Sequence, residues 1–388
     1  MKRNAVVVGL GIGMAHCAGY LDHPHVRLHG VSDLIPERRE AVGGTFAAGS
    51  FSDLRPLFDP ATIGRRWEDL GVRVYADLDE VLADPAVDIV SLCTPDHLHV
   101  AHTEAVLAAG KHLQLEKPVA LRPTEAARLL PAVRAARNRG TMVAVGYEFR
   151  RNPAVVRLRE LVAAGTLGEI AAFSLYHYRT PFRRDKWEHW IEREELSGGL
   201  IVEETSHWLD LARYIPGKEI ARVQVETTDR IHADFDYEDI AYINGRYTDG
   251  AVFQISHALT GFDFSIVMQL HGTSGSAWCG LKDAAYSALD AGASSHLGVL
   301  AWGPQNGRPS DAQVETFDES VTEPFNIRDF TRHVASCITD GTAPPVSYED
   351  GMRCLEAAVA ARHAAKTGAP VDVEEFYESA QQRGSRSG

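Results

Sequence analysis

Residues 5–15, AVVVGLGIGMA, decide the fold of this chain. The apolar run before the first glycine is typical of a strand that is buried on both faces of a sheet. The glycines permit a tight turn, in which backbone N–H groups approach a pyrophosphate at the positive end of a helix. Gly9 and Gly11 have the spacing of a dinucleotide-binding turn, but Gly13 comes one residue before the usual third glycine, where Met14 stands.

Strand and helix signals alternate from this stretch to Gly146. The strand-like segments are Ala5–Val8, Val26–Ser32, Val72–Tyr75, Asp88–Cys93, Lys111–Leu115 and Met142–Gly146. Helical segments that end at Gly110 and Gly140 separate some of them. Repeated units of this kind predict a doubly wound parallel sheet. One segment, residues 43–71, is long for a connection, and it is interpreted either as an insertion with its own helix, as a lid, or as a surface excursion.

An acidic residue, Asp33, closes the second predicted strand. A carboxylate at this place accepts hydrogen bonds from both hydroxyls of the adenosine ribose and repels a 2′-phosphate. The sequence therefore favours NAD over NADP as cofactor. The alternative is that Asp33 only caps the turn before Pro36.

The pattern changes after Gly146. Strand-like runs follow at 170–177, 223–228, 241–247, 251–257 and 264–271, and several of them alternate apolar and polar residues. They predict a large, mostly antiparallel open sheet, accompanied by helices near 154–164, 203–214, 327–338 and 348–365. We therefore expect an α/β chain with a nucleotide-binding domain at 1–146, a substrate-binding and oligomerisation domain at 147–380 and a flexible tail at 381–388.

Composition excludes several classes of partner. The 388 residues carry a formal net charge of −14, which disfavours binding to nucleic acid or to an anionic membrane. Five scattered cysteines without a C-x-x-C pair argue for a reducing, cytoplasmic location and against a disulfide framework or a thiolate zinc site. The glycines near the N-terminus fit a phosphate-binding turn better than a signal peptide, and no apolar stretch of about 18 residues predicts a membrane span.

Several motifs stand where predicted strands end, which is the edge at which open parallel sheets bind ligands. The motifs at these strand ends are Thr94-Pro95 with His99, Ala109-Gly110-Lys111-His112 leading into Glu116-Lys117-Pro118, and Val145-Gly146-Tyr147 with Arg150 and Pro153. Further motifs follow along the chain, namely the run Gly165–Ile170 and Ser197-Gly198-Gly199 with His207 and Asp210. Together they resemble the Gfo/Idh/MocA oxidoreductase family over almost the whole chain. The resemblance implies a Rossmann domain, an α/β domain with a large open sheet, and nicotinamide-dependent hydride transfer on a sugar or cyclitol.

The resemblance also implies roles for individual residues. Lys117 matches the active-site lysine that hydrogen-bonds the reacting oxygen, and Glu116 would contact the nicotinamide ribose; the alternative for both is an exposed ion pair. His207 matches the general base, although a histidine beside Trp208 is more often structural. The expected cofactor-binding residues are Gly9, Gly11, Ile12, Gly13, Met14, Asp33, Thr94, Pro95, His97, His99, Glu116 and Lys117.

The chain departs from the family beside the histidine. Glu203 stands where the family usually has aspartate, and Thr205 replaces a usual glycine. Positions 203 and 207 would share one face of a continuous helix, so we expect Glu203 to orient the imidazole or to bind a substrate hydroxyl. The carboxylate of Glu204 follows directly.

Further side chains are candidates for contact with substrate. The expected set is Tyr147, Arg150, Tyr178, Arg179, Lys186, Trp187, Glu203 and His207, with Tyr176 and Trp190 as additional candidates. Four cations, Arg179, Arg183, Arg184 and Lys186, would suit an anionic group on the substrate, or they form a solvated basic loop. His97, His99 and His102 lack a metal-site pattern, so no metal is expected.

The sequence leaves three functions in competition. The first is an NAD-dependent dehydrogenase of a sugar, glycoside or cyclitol, acting as a homodimer or homotetramer. The second is an NAD-dependent glycoside hydrolase that oxidises a hydroxyl transiently, eliminates the aglycone, adds water and returns the hydride. The third is a cofactor-sensing regulator without enzymatic activity, which the retained Lys117 and His207 disfavour.

Overall fold

The computed structural model describes residues 2–43, 54–179, 190–261, 264–282 and 297–377. The chain divides into two units. Unit 1 comprises Met1–Glu148 and Glu323–Met352, and unit 2 comprises Phe149–Thr322 and Arg353–Gly388. The expected tail at 381–388 lies outside the described residues. Within the described parts, no helix combines the length and the apolar composition that crossing a bilayer requires.

Unit 1 contains a sheet of parallel strands. In the order of the chain, these are β1 (Arg3–Val8), β2 (Val26–Ser32), β3 (Arg73–Tyr75), β4 (Ile89–Leu92), β5 (His112–Leu115) and β6 (Val143–Val145). Among the described residues their order across the sheet is β3-β2-β1-β4-β5-β6, and every neighbouring pair is parallel. The side chains of β4 and β6 are buried throughout, because helices cover both faces of such a sheet. The predicted doubly wound sheet is therefore confirmed.

The helices of unit 1 follow the strands. They are α1 (Gly13–Leu21), α2 (Pro36–Glu40), α3 (Leu78–Ala83), α4 (His99–Ala108) and α5 (Pro123–Asn138). Local signals fix several ends: the side chain of Asp77 caps α3 by accepting from the N–H of Glu80, and Pro123 occupies the first turn of α5. Short 3-10 helices lie at Arg55–Leu57, Glu68–Leu70 and Asp96–Leu98.

The described part of the 43–71 segment is anchored in unit 1 by apolar side chains. Leu54, Phe58 and Trp67 are buried, and an isolated bridge pairs Ala41 with Arg66. In place of the helix considered from the sequence, residues 54–71 contain only the two 3-10 turns at 55–57 and 68–70. Residues 44–53 lie outside the described part of the chain, and the lid stays a prediction.

Unit 2 contains the large mixed sheet. Its strands are β7 (Ile170–Tyr178), β8 (Ile220–Thr228), β9 (Ile240–Tyr247), β10 (Val252–Ala258), β11 (Ser265–Gly272), β12 (Gly275–Lys282), β13 (Gly298–Pro304), β14 (Gln313–Phe317) and β15 (Val371–Asp372). Among the described residues the order is β14-β13-β12-β11-β7-β10-β9-β8-β15. Only the β7–β10 pair is parallel there. The mostly antiparallel sheet is confirmed, with strands from β12 onward that the sequence did not predict.

The helices of unit 2 begin with α6 (Pro153–Ala163), whose N-cap Asn152 accepts hydrogen bonds from the N–H groups of Ala154 and Val155. Then come α7 (Glu194–Ser197), α8 (Gly199–Glu203) and α9 (Thr205–Tyr214). The helix expected near 203–214 is present as α9, but it begins at Thr205, because Glu203 is the last residue of α8. Further 3-10 turns occupy Glu148–Arg151, Trp190–Glu192, Pro309–Asp311 and Glu319–Val321.

The last helices are α10 (Glu323–Asp340) and α11 (Tyr348–Thr367). The sequence assigned both to the second domain, whereas the structure counts Glu323–Met352 with unit 1. α10 packs on α1, where a Cβ at Gly19 would lie 2.8 Å from the Cβ of Thr331. Gln114 of β5 also donates a 3.0 Å hydrogen bond to Thr331 Oγ1. Long-range packing of this kind leaves no local signal in the sequence.

Candidate functional site

The Gly-rich turn between β1 and α1 needs glycine for packing. Gly9 has φ +91°, and a Cβ there would lie 2.2 Å from the carbonyl oxygen of Cys93. At Gly13 a Cβ would lie 2.8 Å from Val7 Cγ1, so this glycine brings the first turn of α1 against the sheet. Ile12, at the N-cap position, makes no side-chain capping bond. A close-packed turn at an uncapped helix N-terminus fits a bound pyrophosphate.

Asp33 is buried directly after β2, where the sequence predicts the ribose-binding acid. Its Oδ2 accepts a 2.6 Å hydrogen bond from the N–H of Leu10, and its Oδ1 accepts a 2.8 Å bond from the N–H of Ile35. An ionised carboxylate offers about four lone-pair sites, so these two bonds leave capacity for ribose hydroxyls. Asp33 therefore shapes the turn, and its role as the ribose-binding acid stays a prediction.

A basic residue missed from the sequence adjoins this acid. Arg38 of α2 places Nη1 3.6 Å from Asp33 Oδ2. The same atom would lie 3.5 Å from a Cβ at Gly11, so the guanidinium reaches the Gly-rich turn. Arginine near this position can accommodate a 2′-phosphate. The pair Arg38-Arg39, just past the second strand, was the signal that could have identified it.

The segments after β4 and β5 are tied together by His99. Its Nδ1 lies 2.6 Å from the carbonyl oxygen of Pro118, and its Nε2 lies 2.8 Å from that of Thr94. Burial lowers the pKa of this imidazole, while the two carbonyl contacts oppose that shift. His99 thus holds the Glu116-Lys117 segment in place, because it contacts the backbone of Pro118 directly after it. Thr94 and Pro95 are half-buried, and His97 is exposed.

Glu116 and Lys117 are half-buried at the end of β5. Oε1 of Glu116 lies 3.0 Å from Nε2 of His16, which is a buried residue of α1. A Cβ at Gly146 would lie 2.4 Å from the same Oε1, so the glycine after β6 makes room for this carboxylate. The Glu116-Lys117 segment is therefore held beside the helix that begins at the Gly-rich turn.

A second carboxyl near this segment was not singled out from the sequence. Glu148 is fully buried, and burial raises its pKa well above the usual value. The carboxylates of Glu116 and Glu323 raise it further, while Lys117 opposes them. Its position one residue after Tyr147, itself buried at the end of β6, was the available signal.

In unit 2, Glu203 and His207 are both buried, and each has an exposed fraction of 8%. Glu203 is the last residue of α8 and His207 lies in α9, whereas the sequence-based argument assumed one continuous helix. Phe149 meets the imidazole of His207 edge-on at 5.7 Å between ring centroids, and Trp208 lies at 5.9 Å. Aromatic packing thus orients His207.

Two arginines expected to contact substrate lie in buried ion pairs. Arg150 donates to Asp210 through Nε at 2.8 Å and Nη2 at 2.6 Å, and its guanidinium lies 4.7 Å from the ring centroid of Tyr214. Arg179, only 2% exposed, donates from Nη1 to Glu204 Oε1 at 2.8 Å. These contacts give both side chains a structural role that the sequence did not reveal.

The structure describes some of the remaining candidates for substrate contact and leaves others outside its described residues. Tyr178 is half-buried, 5.8 Å between ring centroids from the exposed Tyr176, and Trp190 is buried. Lys186 and Trp187, together with Arg183 and Arg184, lie outside the described residues. Their expected roles stay predictions.

Models of one oxidoreductase family match both parts of the chain. The NAD-binding Rossmann fold of the family matches residues 3–147, and its C-terminal alpha/beta domain matches residues 159–373.

Individual relatives agree with these matches. An NADP(+)-dependent scyllo-inositol 2-dehydrogenase of Bacillus subtilis is 27% identical over 310 residues, covering 76% of this chain and 81% of the relative. A myo-inositol 2-dehydrogenase of Thermotoga maritima is 26% identical over 316 residues, covering 79% and 85%. The solved structure of a levoglucosan dehydrogenase in complex with NADH has the same fold, with a TM-score of 0.75, 20% identity and coverage of 96% and 99%.

The parallel sheet with its Gly-rich turn, the large mixed sheet and the two family matches agree over most of the sequence. The chain belongs to the Gfo/Idh/MocA oxidoreductase family.

Proposed function

We propose that this chain is an NAD(H)-dependent dehydrogenase that oxidises a secondary hydroxyl of a sugar, glycoside or cyclitol. The observation that supports it most is the 3.0 Å contact between Glu116 Oε1 and His16 Nε2. It holds the Glu116-Lys117 segment beside the helix that follows the Gly-rich turn, and the proposal assigns the cofactor to that turn. The inositol dehydrogenases among the relatives support a polyol as the substrate class.

The proposed chemistry separates the hydride from the proton. Bound NAD supplies the hydride acceptor. Lys117 would hydrogen-bond the reacting oxygen and stabilise the charge that develops there. His207 would accept the hydroxyl proton and return it in the reverse direction. In this proposal Lys117 and His207 are the catalytic residues, and Glu203 positions His207 or binds a substrate hydroxyl.

An uncharged polyol is the simpler substrate for this proposal. The idea of an anionic group rested on four cations, of which Arg179 is already paired with Glu204. Tyr147 and Tyr178 would contribute hydroxyls that suit a polyol. Preference for NAD over NADP rests on Asp33, whereas the nearby Arg38 would favour NADP.

Two further parts of the proposal concern the assembled protein. The face of the unit 2 sheet exposes Tyr176, Tyr242 and Trp278, which supports a homodimer or homotetramer. Light scattering of the purified protein would measure the subunit number. The free cysteines of the described residues are consistent with the reducing cytoplasm proposed as its location.

A substrate screen tests the proposed activity. The purified protein is incubated with NAD+ or NADP+ and a panel of inositols, sugars and aryl glycosides, while reduced nicotinamide and released aglycone are measured in parallel. Accumulation of reduced cofactor with a cyclitol or sugar is the expected result. Aglycone release without reduced cofactor would favour the hydrolase, and cofactor binding without turnover of any compound would favour a regulator.

A further inference from the structure

Three buried side chains of unit 2 bring metal-ligand atoms together. His177 of β7, His257 of β10 and Glu204 at the α8–α9 junction each offer one such atom, and these atoms lie within 4.8 Å of one another. The histidines are directly opposite each other on parallel neighbouring strands, with ring centroids 5.1 Å apart. Oε1 of Glu204 lies 3.9 Å from Nε2 of His177. Both imidazoles are 0% exposed.

Hydrogen bonds determine which nitrogen of each imidazole carries the proton. Nδ1 of His177 lies 2.9 Å from the carbonyl oxygen of Ser265, so it must donate. Thr205 donates its single hydroxyl proton to the carbonyl oxygen of Leu200 at 3.1 Å. Its Oγ1 therefore accepts from Nδ1 of His257, 2.7 Å away. Each Nε2 is then left with a lone pair.

Among the described residues, neither Nε2 atom has a hydrogen-bond partner. Buried acceptors that converge beside a carboxylate need a cation or a donor between them. Metal-binding histidines typically donate their other ring nitrogen to a carbonyl or a similar acceptor, as both of these histidines do.

Arg179 limits which ion can bind. It donates to Oε1 of Glu204, but a carboxylate keeps further lone pairs, and ligating carboxylates are commonly hydrogen-bonded in this way. Its positive charge opposes a second cation that binds through oxygen alone. The two imidazole nitrogens therefore have to supply most of the binding, which favours zinc and similar transition metals over magnesium or calcium.

We propose that His177, His257 and Glu204 form a buried binding site for a divalent transition-metal ion of the zinc class. The set of imidazole and carboxylate ligands is one that zinc uses in proteins. Bonds of about 2 Å require the side chains to close by about 1 Å around the ion. The ion would tie β7 and β10 to the junction between Glu203 and His207. The sequence predicted no metal because these ligands lie on separate elements.

Metal content tests the site without using activity. Wild type, His177→Gln, His257→Gln and the control His271→Gln, whose histidine is exposed on β11, are expressed with added Zn2+ and purified without chelators. Wild type and the control should carry stoichiometric zinc. The zinc content of the two other variants should be lower by a factor of about ten or more, since each lost ligand removes a bond to the ion. Equal zinc in all four proteins would overturn the proposal.

A second measurement covers the case in which the variants fail to fold. Wild-type protein is produced in minimal medium with Co2+ in place of Zn2+. The expected result is stoichiometric cobalt with the visible d–d absorption of a site that has nitrogen ligands. Wild-type protein that carries neither zinc nor cobalt in stoichiometric amount would overturn the proposal, because a buried water molecule would then satisfy both Nε2 atoms.

Discussion

The backbone N–H of Leu10 donates a 2.6 Å hydrogen bond to Oδ2 of Asp33. This bond joins the Gly-rich turn after β1 to the end of β2, two places that the sequence separates by a whole helix and strand. The carboxylate therefore holds the turn in shape, and the proposed function gives it a second task, which is to bind the adenosine ribose. Any change at Asp33 acts on both.

Replacing Asp33 by serine should weaken NAD+ binding and relax discrimination against NADP+. The variant loses charged hydrogen bonds worth about 1.5–3 kcal/mol each, and so about ten-fold or more in affinity. It also loses the negative charge that repels a 2′-phosphate. Fluorescence titration with both cofactors measures the two affinities. An unchanged preference would remove Asp33 from the cofactor site.

Arg38→Ala is the matched comparison for this experiment. If Arg38 serves a 2′-phosphate, the variant should lose NADP+ affinity and keep most of its NAD+ affinity.

Lys117→Ala should abolish turnover while NAD+ affinity is retained. Loss of a group that assists proton transfer and stabilises charge on the reacting oxygen typically costs about 10²–10⁴-fold in rate. Steady-state kinetics and a cofactor titration separate the two effects. Lys366→Ala, which removes an exposed lysine paired with Glu194, serves as the control. Wild-type kinetics in Lys117→Ala would refute the role of this lysine.

His207→Asn should lower kcat by a similar factor, about 10²–10⁴, because no other group takes the hydroxyl proton in the proposal. Asparagine preserves a polar side chain of moderate size, so the fold should survive. His25→Asn, at an exposed position, is the control. If both variants turn over substrate at the wild-type rate, His207 is a structural residue.

Breaking the Arg150–Asp210 pair should destabilise unit 2. Asp210→Asn leaves a buried guanidinium without its countercharge, which costs about 3–5 kcal/mol in the free energy of unfolding. The double variant Arg150→Met/Asp210→Leu should recover much of this loss, because apolar residues can replace a buried pair. Denaturant unfolding measures both. An Asp210→Asn variant with wild-type stability but a raised KM would instead support direct substrate binding by Arg150.

Glu148→Gln should reduce the pH dependence of stability. Burial first, and then the carboxylates of Glu116 and Glu323, raise the folded pKa of Glu148 well above 4.5. Above that pH the unfolded chain has released its proton while the folded chain keeps it, so the folded state binds more protons. The free energy of unfolding therefore falls as pH rises from about 4.5 toward the folded pKa.

Glutamine keeps the shape and does not titrate, so the variant should be more stable than wild type near neutral pH and should decline less with pH. Denaturant unfolding at several pH values gives the comparison, with Glu104→Gln on the surface as control. If the free energy of unfolding changed with pH in the same way in Glu148→Gln and in wild type, Glu148 would not be the source of this pH dependence.

The local pattern of apolar residues, turns and helices in the sequence was sufficient to predict the parallel sheet. Buried runs such as Ile89–Leu92, each followed by a turn and a helix, place their ends at one edge of the sheet whatever the rest of the chain does. Lys117 could therefore be placed at the end of a strand from the sequence. Strands such as Gly275–Lys282 and Gly298–Pro304 were missed, because glycines weaken the strand signal.

The amino-acid sequence by itself determined the doubly wound sheet, the glycine turn and the acid after β2, since each depends on residues that are close along the chain. Only the tertiary structure decided that Arg150 pairs with Asp210, that the 323–352 segment packs with unit 1, and that His177 faces His257. Those outcomes depend on which distant elements pack together, and packing energy accumulates only when the whole fold is formed.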